Sequence, residues 1–351
     1  MIAEEGTPRP PRPRMLTRVK YLRRILSAYV LKKKSGNLSF WHTDLWANRL
    51  EARDLRALRR YPMNFTSKTA YNGPRDEDGV IMLDYQADLG LQYNPNAVAQ
   101  FALGHYDLYL DAEEAGDEAG MQAGAAAFLG QAAWFLRRGR RVAGGVVLWE
   151  YDFPFEMRER LERPWRSALA QGQALSVLLR AHRLTGREEY LERAREGFNA
   201  FRYDYREHEG GVICRQDGDV FLEEVMLGRP NHILNGWVWA LWGVWEHALY
   251  TGDEYARGLF QASEATLARR LGRYDLGFWT RYDDNESCGG PTMPASAYYQ
   301  RLHVVQMEGL HALTGREVYD DTRRRWQGYY DHPWGRRRAL AWKIWFKVRH
   351  W

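Results

Sequence analysis

A short joint that recurs along the chain is the feature that most restricts its fold. The joint reads LTGREEYLERA at 184–194, YTGDEYARGLF at 250–260 and LTGREVYDDT at 313–322. The threonines of successive joints are separated by 66 and 63 residues. Glycine commonly ends a helix, and acidic residues suit the N-terminus of the next one. Each joint therefore predicts a turn between two helices.

The segments between the joints complete the repeat. A weaker joint, EAGDEAGMQA, lies about one period earlier at 114–123. Connectors rich in glycine and aromatic residues separate the helix pairs, and each predicts a strand or hairpin: 142–156, 207–223 and 274–286. A unit of two helices and one connector, repeated four times, predicts stacked helical hairpins. The sequence thus predicts a mainly α fold, an incomplete (α/α) toroid of about four helical hairpins over 93–334.

A toroid of this kind gathers its functional residues at one end. The connectors and the starts of the inner helices form a groove there, so we expect a shared site to draw on 164–173, 223–235, 279–285 and 296–306. The last segment, SAYYQRLHVVQ, has Tyr299 and His303 four residues apart, on one face of a predicted helix.

The charge of the chain is concentrated at its ends. Residues 1–34 carry ten Lys/Arg and two acids, residues 335–351 carry six Lys/Arg and no acid, and the 300 residues between carry 34 bases and 43 acids. We interpret 1–60 as a basic N-terminal helical extension, 61–92 as a small β region and 335–351 as a basic amphipathic C-terminal tail. The acidic body excludes a nucleic-acid partner, and the basic ends predict contact with an anionic membrane surface.

Several classes of protein are disfavoured by the composition. The chain has no run of about 18 apolar residues and no clear signal peptide, so we expect a cytoplasmic protein, peripheral to a membrane through its basic ends. Its two cysteines make no disulfide framework, and no Cys/His cluster indicates a metal site.

Four blocks of sequence carry a resemblance to a known family. They are YNPNAVAQFALGHYDLYL (93–110), WRSALAQGQALSVLLRAHRLTG (165–186), HILNGWVWALWG (232–243) and AYYQRLHVVQ (297–306). Their order and spacing resemble the D-glucuronyl C5-epimerase family, whose members invert C5 of glucuronic acid in heparosan- or heparan-like polymers. The resemblance covers roughly 61–330. It implies an anionic uronate-containing polysaccharide as partner, no cofactor or metal, and a homodimer.

The resemblance also implies a set of site residues. Tyr282, Tyr299 and Glu224 match motifs that carry the family's catalytic region, and we interpret them as catalytic. Epimerisation beside a carboxylate needs a base, an acid on the opposite face of the ring and stabilisation of the enolate. The candidate substrate-binding residues are Trp165, Arg166, Gln173, Asn235, Trp279, Arg281 and His303.

Two positions depart from the family pattern. Val225 stands where the family has a third catalytic tyrosine, and Arg166 stands where it tends to have an aromatic residue. With that tyrosine absent, Glu224 is a candidate base and a tyrosine its acid partner, with Arg166 and Arg281 as carboxylate clamps.

Two other functions stay open on the sequence. Removal of the same C5 proton followed by expulsion of the C4 substituent would make a uronate polysaccharide lyase. A protein that kept the groove and lost the chemistry would be a non-catalytic polysaccharide-binding protein, for which Val225 is the main argument.

Overall fold

The computed structural model describes residues 38–350 apart from 52–53, 55–56, 86–88 and 158, and it describes 38–39 and 347–350 as helical backbone only. Its helices are α1 (Leu38–Trp41), α2 (Pro95–Ala115), α3 (Glu118–Arg138), α4 (Ala168–Thr185), α5 (Glu188–Phe198), α6 (Leu234–Thr251), α7 (Glu254–Arg270), α8 (Ala297–Thr314), α9 (Glu317–Asp331) and α10 (Pro333–His350). The protein is therefore mainly α, as predicted. The amphipathic helix predicted at 15–34 lies outside the described residues.

The strands are short and pair only in twos, all antiparallel. They are β1 (Trp46–Ala47) with β2 (Met63–Asn64), β3 (Leu83–Asp84) with β4 (Leu91–Gln92), β5 (Arg140–Val142) with β6 (Val146–Leu148), β7 (Phe155–Glu156) with β8 (Arg160–Leu161), and β9 (Ile213–Gln216) with β10 (Asp219–Leu222). The first two predicted connectors contain hairpins. In the third, 274–286, the predicted strand or hairpin is reduced to isolated antiparallel bridges: Asp275 pairs with Thr280 inside the connector, and other residues of it pair with Ile233 and Pro294.

The recurrent joints end helices in the way that their sequence predicts. Gly186, Gly252 and Gly315 each have a positive φ near 70°, the left-handed conformation that ends a helix. The threonine before each glycine donates its hydroxyl to the carbonyl four residues earlier, at 2.7 Å in all three joints. The same oxygen accepts the N–H two residues later, at 3.3 Å. The joint is thus fixed locally, which explains why it is readable from the sequence.

The helical hairpins stack in chain order. Each hairpin pairs an inner with an outer helix: α2 with α3, α4 with α5, α6 with α7 and α8 with α9. The inner helices pack in the series α2–α4–α6–α8. This arrangement is compatible with the predicted incomplete toroid.

The N-terminal β region contacts both ends of this series. Strand β2 packs on α2 and on α8, and β1 packs on α8. Because β1 pairs with β2, this unit crosses the boundary predicted at residue 60. The first and last inner helices are thus joined through the small sheet.

Helices α4 and α6 approach until their backbones touch. A Cβ atom added to Gly243 would lie 2.2 Å from the carbonyl oxygen of Gly172, and one added to Gly172 would lie 2.7 Å from Cα of Ala240. Further along the same interface, the buried Arg180 guanidinium donates to both carboxylate oxygens of Glu246, at 2.9 and 2.7 Å. The two glycines set the helix spacing, and the ion pair fixes the register.

The C-terminal segment forms a helix packed on the body. Ala339 of α10 lies in a buried cluster with Trp279 and Ala295, while Trp334 and Trp345 on the opposite face are exposed. None of the helices in the described part of the chain is long and apolar enough to cross a membrane. Contact with an anionic membrane surface stays a prediction, now with an exposed tryptophan-bearing face of α10 as one candidate carrier.

The close contact at Gly243 predicts that alanine there destabilises the fold, whereas alanine at a glycine with open space does not. Gly243→Ala should destabilise the fold by about 2–3 kcal/mol, because the added methyl group would overlap the α4 backbone. Gly258→Ala is the matched control: Gly258 is a helical glycine on α7 with open space at its Cβ position. That change should be neutral or stabilising by up to about 1 kcal/mol. Urea unfolding of both variants would measure this, and equal effects would contradict the close contact.

Candidate active site

A cavity of about 620 Å³ lies at the end of the protein where the inner helices begin. The start of every inner helix contributes to its wall: Asn94 and Asn96 at α2, Ser167 and Leu169 at α4, Asn235 at α6, and Ser296 to Tyr299 at α8. Helix N-termini carry partial positive charge, so their convergence favours an anionic ligand. The cavity draws on all four segments in which the sequence places the site.

Aromatic rings form one side of the cavity. Trp165 stacks on Tyr151 with ring centroids 3.8 Å apart and the planes 3° from parallel, and Phe155 continues the stack. The indole N–H of Trp165 donates to Phe153 O, which fixes the ring. Trp279 also borders the cavity but is 1% exposed, with its N–H bonded to Ala295 O. Trp165 is therefore the more exposed of the two tryptophans.

The paired acids before α6 point in different directions. The Glu223 carboxylate is fully buried, 2.5 Å from His232 Nδ1, and accepts the His232 N–H at 3.1 Å. The Glu224 carboxylate borders the cavity and accepts the side-chain N–H of Asn235 at 2.9 Å. Glu223 thus holds the loop before α6, and Glu224 is the member available to a ligand.

The Asn235-Gly236 pair determines the surroundings of the Glu224 carboxylate. Helix α6 begins at Leu234, so Asn235 lies in its first turn and does not cap it. A Cβ atom on Gly236 would lie 2.3 Å from a Glu224 carboxylate oxygen. The asparagine supplies a donor and the glycine supplies room, which gives a physical reason for this dipeptide in the block at 232–243.

The Glu224 carboxyl has an unusual proton affinity. Burial raises its pKa to about 8, opposed by hydrogen bonds from Asn235, the Gly236 N–H and Tyr282, while the charge of Asp283 adds to the rise. A carboxyl with a pKa near the working pH exchanges protons readily in either direction. Glu224 therefore has the proton affinity of a general base or acid.

Two tyrosines lie beside this carboxyl. The rings of Tyr282 and Tyr299 meet edge to face at 4.8 Å, and both border the cavity. Burial, then the charge of Glu224, then Tyr299 raise the pKa of Tyr282 well above its usual value, so its hydroxyl keeps its proton near neutral pH. Ser296 caps α8 by accepting the Tyr299 N–H, which orients the first turn of that helix. The structure thus brings Glu224, Tyr282 and Tyr299 together.

Val225 lies in the cavity wall with a 4% exposed side chain. It packs in a small buried cluster with Ile233 and Tyr282. The position of the family's third tyrosine therefore faces the same site but offers only an apolar surface.

The two arginines expected to clamp a carboxylate do not line the cavity. The Arg166 guanidinium donates to three backbone carbonyls of the connector before α6, those of Gly211 at 2.8 Å, Tyr205 at 3.3 Å and His208 at 3.4 Å. Arg281 pairs with Glu286. Each guanidinium is committed to the connector that surrounds it, so the structure gives neither one a clamping position.

His303 and Gln173 lie beneath the cavity. His303 is fully buried, with Nδ1 3.0 Å from the Thr280 hydroxyl, and burial lowers its pKa to about 3. Gln173 is fully buried and accepts the side-chain N–H of Gln100 at 3.3 Å. Neither residue borders the cavity, so we interpret both as residues that stabilise the packing of the inner helices.

Tyr151 and Lys343 are among the cavity residues that the sequence did not identify. Tyr151, at the end of the first connector, stacks on Trp165 and interacts with the charge of Glu224. Its position in a connector that precedes an inner helix was the signal for it. Lys343 comes from α10, in the segment interpreted as a tail, and no local pattern marked it.

In the described part of the chain, no group of three or more His, Cys, Asp or Glu side chains is arranged to hold a metal ion. The polar groups gathered at the cavity are carboxyl, phenol, amide and ammonium groups, which suit proton transfer and carboxylate binding.

Fold and site together define a helical-hairpin protein with an acid–base site in an aromatic cavity. Residues 144–328 match the family of the D-glucuronyl C5-epimerase C-terminus, and the match covers more than half of the chain. The chain therefore belongs to the D-glucuronyl C5-epimerase family.

Two relatives are similar to the chain over part of its length. It is 29% identical over 186 residues to the uncharacterized protein MJ1128 of Methanocaldococcus jannaschii, covering 52% of this chain and 57% of the relative. It is 28% identical over 216 residues to the D-glucuronyl C5-epimerase of Caenorhabditis elegans, covering 58% of this chain and 35% of the relative. The chain thus matches less than two thirds of the length of each of these relatives.

The raised pKa of Glu224 predicts a pH-dependent contribution to stability. Because its pKa is higher in the folded state, Glu224 stabilises the fold fully below its unfolded pKa, near 4.5, and this stability is lost as pH rises to about 8. Relative to Glu224→Gln, the wild type should lose up to about 1.4 kcal/mol of unfolding free energy per pH unit in that window. Urea unfolding at pH 5, 6, 7 and 8 would measure the difference. A constant difference would show that the carboxyl is not held in this environment.

Proposed function

We propose that the protein is a C5-epimerase that converts D-glucuronate to L-iduronate residues within a polysaccharide by proton removal and return. The observation that carries the proposal is the cluster of Glu224, Tyr282 and Tyr299 in one cavity, built on a scaffold of the epimerase family. The Caenorhabditis elegans relative, a D-glucuronyl C5-epimerase, supports the reaction type.

Glu224 is the base of this mechanism. In its ionised form it removes the proton from C5, and its pKa of about 8 makes it a stronger base than an ordinary carboxylate. The amide of Asn235 and the N–H of Gly236 hold the carboxylate in place during the transfer. Activity on this account rises as pH increases toward 8.

Tyr299 is the acid that returns a proton to the other face of C5. Tyr299 is half-buried, whereas Tyr282 is 7% exposed and interacts with both Glu224 and Tyr299. Tyr282 then donates a hydrogen bond that favours the ionised form of Glu224 before the transfer, and it orients Tyr299. A phenol that keeps its proton at neutral pH suits the donor role in this step.

The polymer occupies the aromatic side of the cavity. The stack of Tyr151, Trp165 and Phe155 offers apolar surface for the faces of the sugar rings next to the target residue. The helix N-termini at Ser167 and Ser296 favour the negative charge of the uronates.

Val225 supports one alternative, a polysaccharide-binding protein without chemistry. A valine in the cavity wall removes a tyrosine that the family pattern expects at this position. A uronate lyase is the other alternative carried from the sequence. Both are distinguishable from an epimerase by product analysis.

The direct test is incubation with heparosan in deuterium oxide, followed by NMR of the polymer. An epimerase incorporates deuterium at C5 and accumulates iduronate. An unsaturated uronate, detected by its ultraviolet absorbance, would identify a lyase instead. Binding of the polymer without either product would identify a binding protein.

Variants assign the roles of the two proton-transfer groups. Glu224→Gln and Tyr299→Phe should each slow deuterium incorporation by about 100-fold or more, because each removes one proton-transfer group. Tyr109→Phe is the matched control, since its hydroxyl donates to Glu113 on the same helix and Tyr109 does not line the cavity. It should retain full activity. A Tyr299→Phe enzyme with near wild-type turnover would refute the role given to Tyr299.

A further inference from the structure

The proposed reaction needs a cation that the expected arginines do not supply. Removal of the C5 proton places negative charge on the substrate carboxylate, and a nearby cation stabilises it. Arg166 is held by carbonyls of the connector before α6, Arg281 is paired with Glu286, and neither borders the cavity. Among the described residues that line the cavity, the Lys and Arg side chains are Lys343 and Arg336, both on α10.

Lys343 is the better placed of these two cations. The Arg336 guanidinium donates to Tyr330 O and lies over the Tyr330 ring on the exposed side of the helix. Lys343 is half-buried, and its ammonium donates to Pro294 O at 3.2 Å. This carbonyl lies two residues before Ser296, the cap of α8. The contact ties Lys343 to the segment that carries Tyr299.

The Lys343 ammonium has more N–H donors than its bond to Pro294 uses. A lysine ammonium has three N–H donors, and the bond to Pro294 uses one of them. The charge of Asp283 also acts on the ammonium. Partial burial of a cation is costly, and an anionic ligand would offset that cost.

We propose that Lys343 binds the carboxylate of the target uronate, so that α10 is a wall of the substrate site rather than a tail. This inference rests on the proposed function and names the residue that selects a uronate over a neutral sugar. It concerns a helix beyond 144–328, the segment that matches the epimerase family. Packing of Ala339 against Trp279 and Ala295 holds the lysine at the cavity.

The electrostatic surroundings of Lys343 support this assignment. Burial lowers the pKa of the lysine to about 8, and the charge of Asp283 opposes that shift. His303 faces the same region, but burial and the charge of Lys343 keep it neutral by lowering its pKa to about 3. Glu224, on the cavity wall, also titrates near pH 8. A uronate carboxylate would therefore meet a cation that is lost at alkaline pH.

The first experiment measures affinity by calorimetry for a heparosan hexasaccharide and for its carboxyl-reduced counterpart. Wild type should prefer the acidic form, and Lys343→Met should weaken its binding by about ten-fold or more while leaving the neutral form unchanged. Lys343→Arg should restore the preference for the acidic form. Arg337→Met, which removes a cation from the exposed face of the same helix, should bind like wild type.

The second experiment follows affinity with pH in the Glu224→Gln background, which removes the carboxyl that also titrates near pH 8. Affinity for the hexasaccharide should fall above about pH 8 with Lys343 and persist to higher pH with Lys343→Arg, because arginine stays charged. A purely structural lysine would give the same pH profile for both.

The outcomes distinguish a failure of the role given to Lys343 from a failure of the proposed function. If the wild type binds and prefers the acidic hexasaccharide but Lys343→Met does the same, the assignment of Lys343 is overturned and the proposed function stands. If the wild type does not bind the hexasaccharide at all, the proposed function fails, and the role of Lys343 with it.

Discussion

The contact between Gly172 and Gly243 sets the distance between α4 and α6, and the geometry of the cavity depends on it. At this spacing the first turns of the two inner helices stand side by side, with Ser167 and Asn235 in one wall. A methyl group at either glycine would force the helices apart. The buried pair of Arg180 and Glu246 then fixes how one helix slides along the other.

The position of Glu224 follows from that packing. The carboxyl is held by the first turn of α6, where Asn235 donates to it and Gly236 leaves it space. Its neighbour Glu223 turns inward to His232 and holds the loop in register. One acid of the pair therefore serves the fold, and the other keeps a pKa suited to proton transfer. The backbone of the next connector closes the site, since Tyr282 O accepts the Leu234 N–H.

The sequence predicted the parts of the fold that are decided locally. The joints at Thr185, Thr251 and Thr314 end helices through bonds within a few residues, so their pattern is visible in one dimension. The segments that meet at the cavity were also predictable, because the repeat brings each inner-helix start to the same end. The third connector forms isolated bridges, and residues outside it, Ile233 and Pro294, take part in them, which its own sequence does not show.

Side-chain contacts between residues that are far apart in the chain could not be predicted from the sequence. Nothing local shows that Arg166 binds the carbonyls of Gly211, Tyr205 and His208, so its charge alone made it a plausible clamp. The basic composition of 335–351 likewise suggested a surface tail. Packing of Ala339 against Trp279, a tertiary contact, is what brings Lys343 to the cavity.

The central claim is that Glu224 and a tyrosine act on opposite faces of one uronate. The most direct measurement is the early distribution of deuterium between the two epimers when heparosan is treated in deuterium oxide. Two separate groups, each carrying one proton, predict iduronate labelled at C5 while the recovered glucuronate stays unlabelled. Equal labelling of both epimers from the earliest times, or no label in either, would contradict the claim.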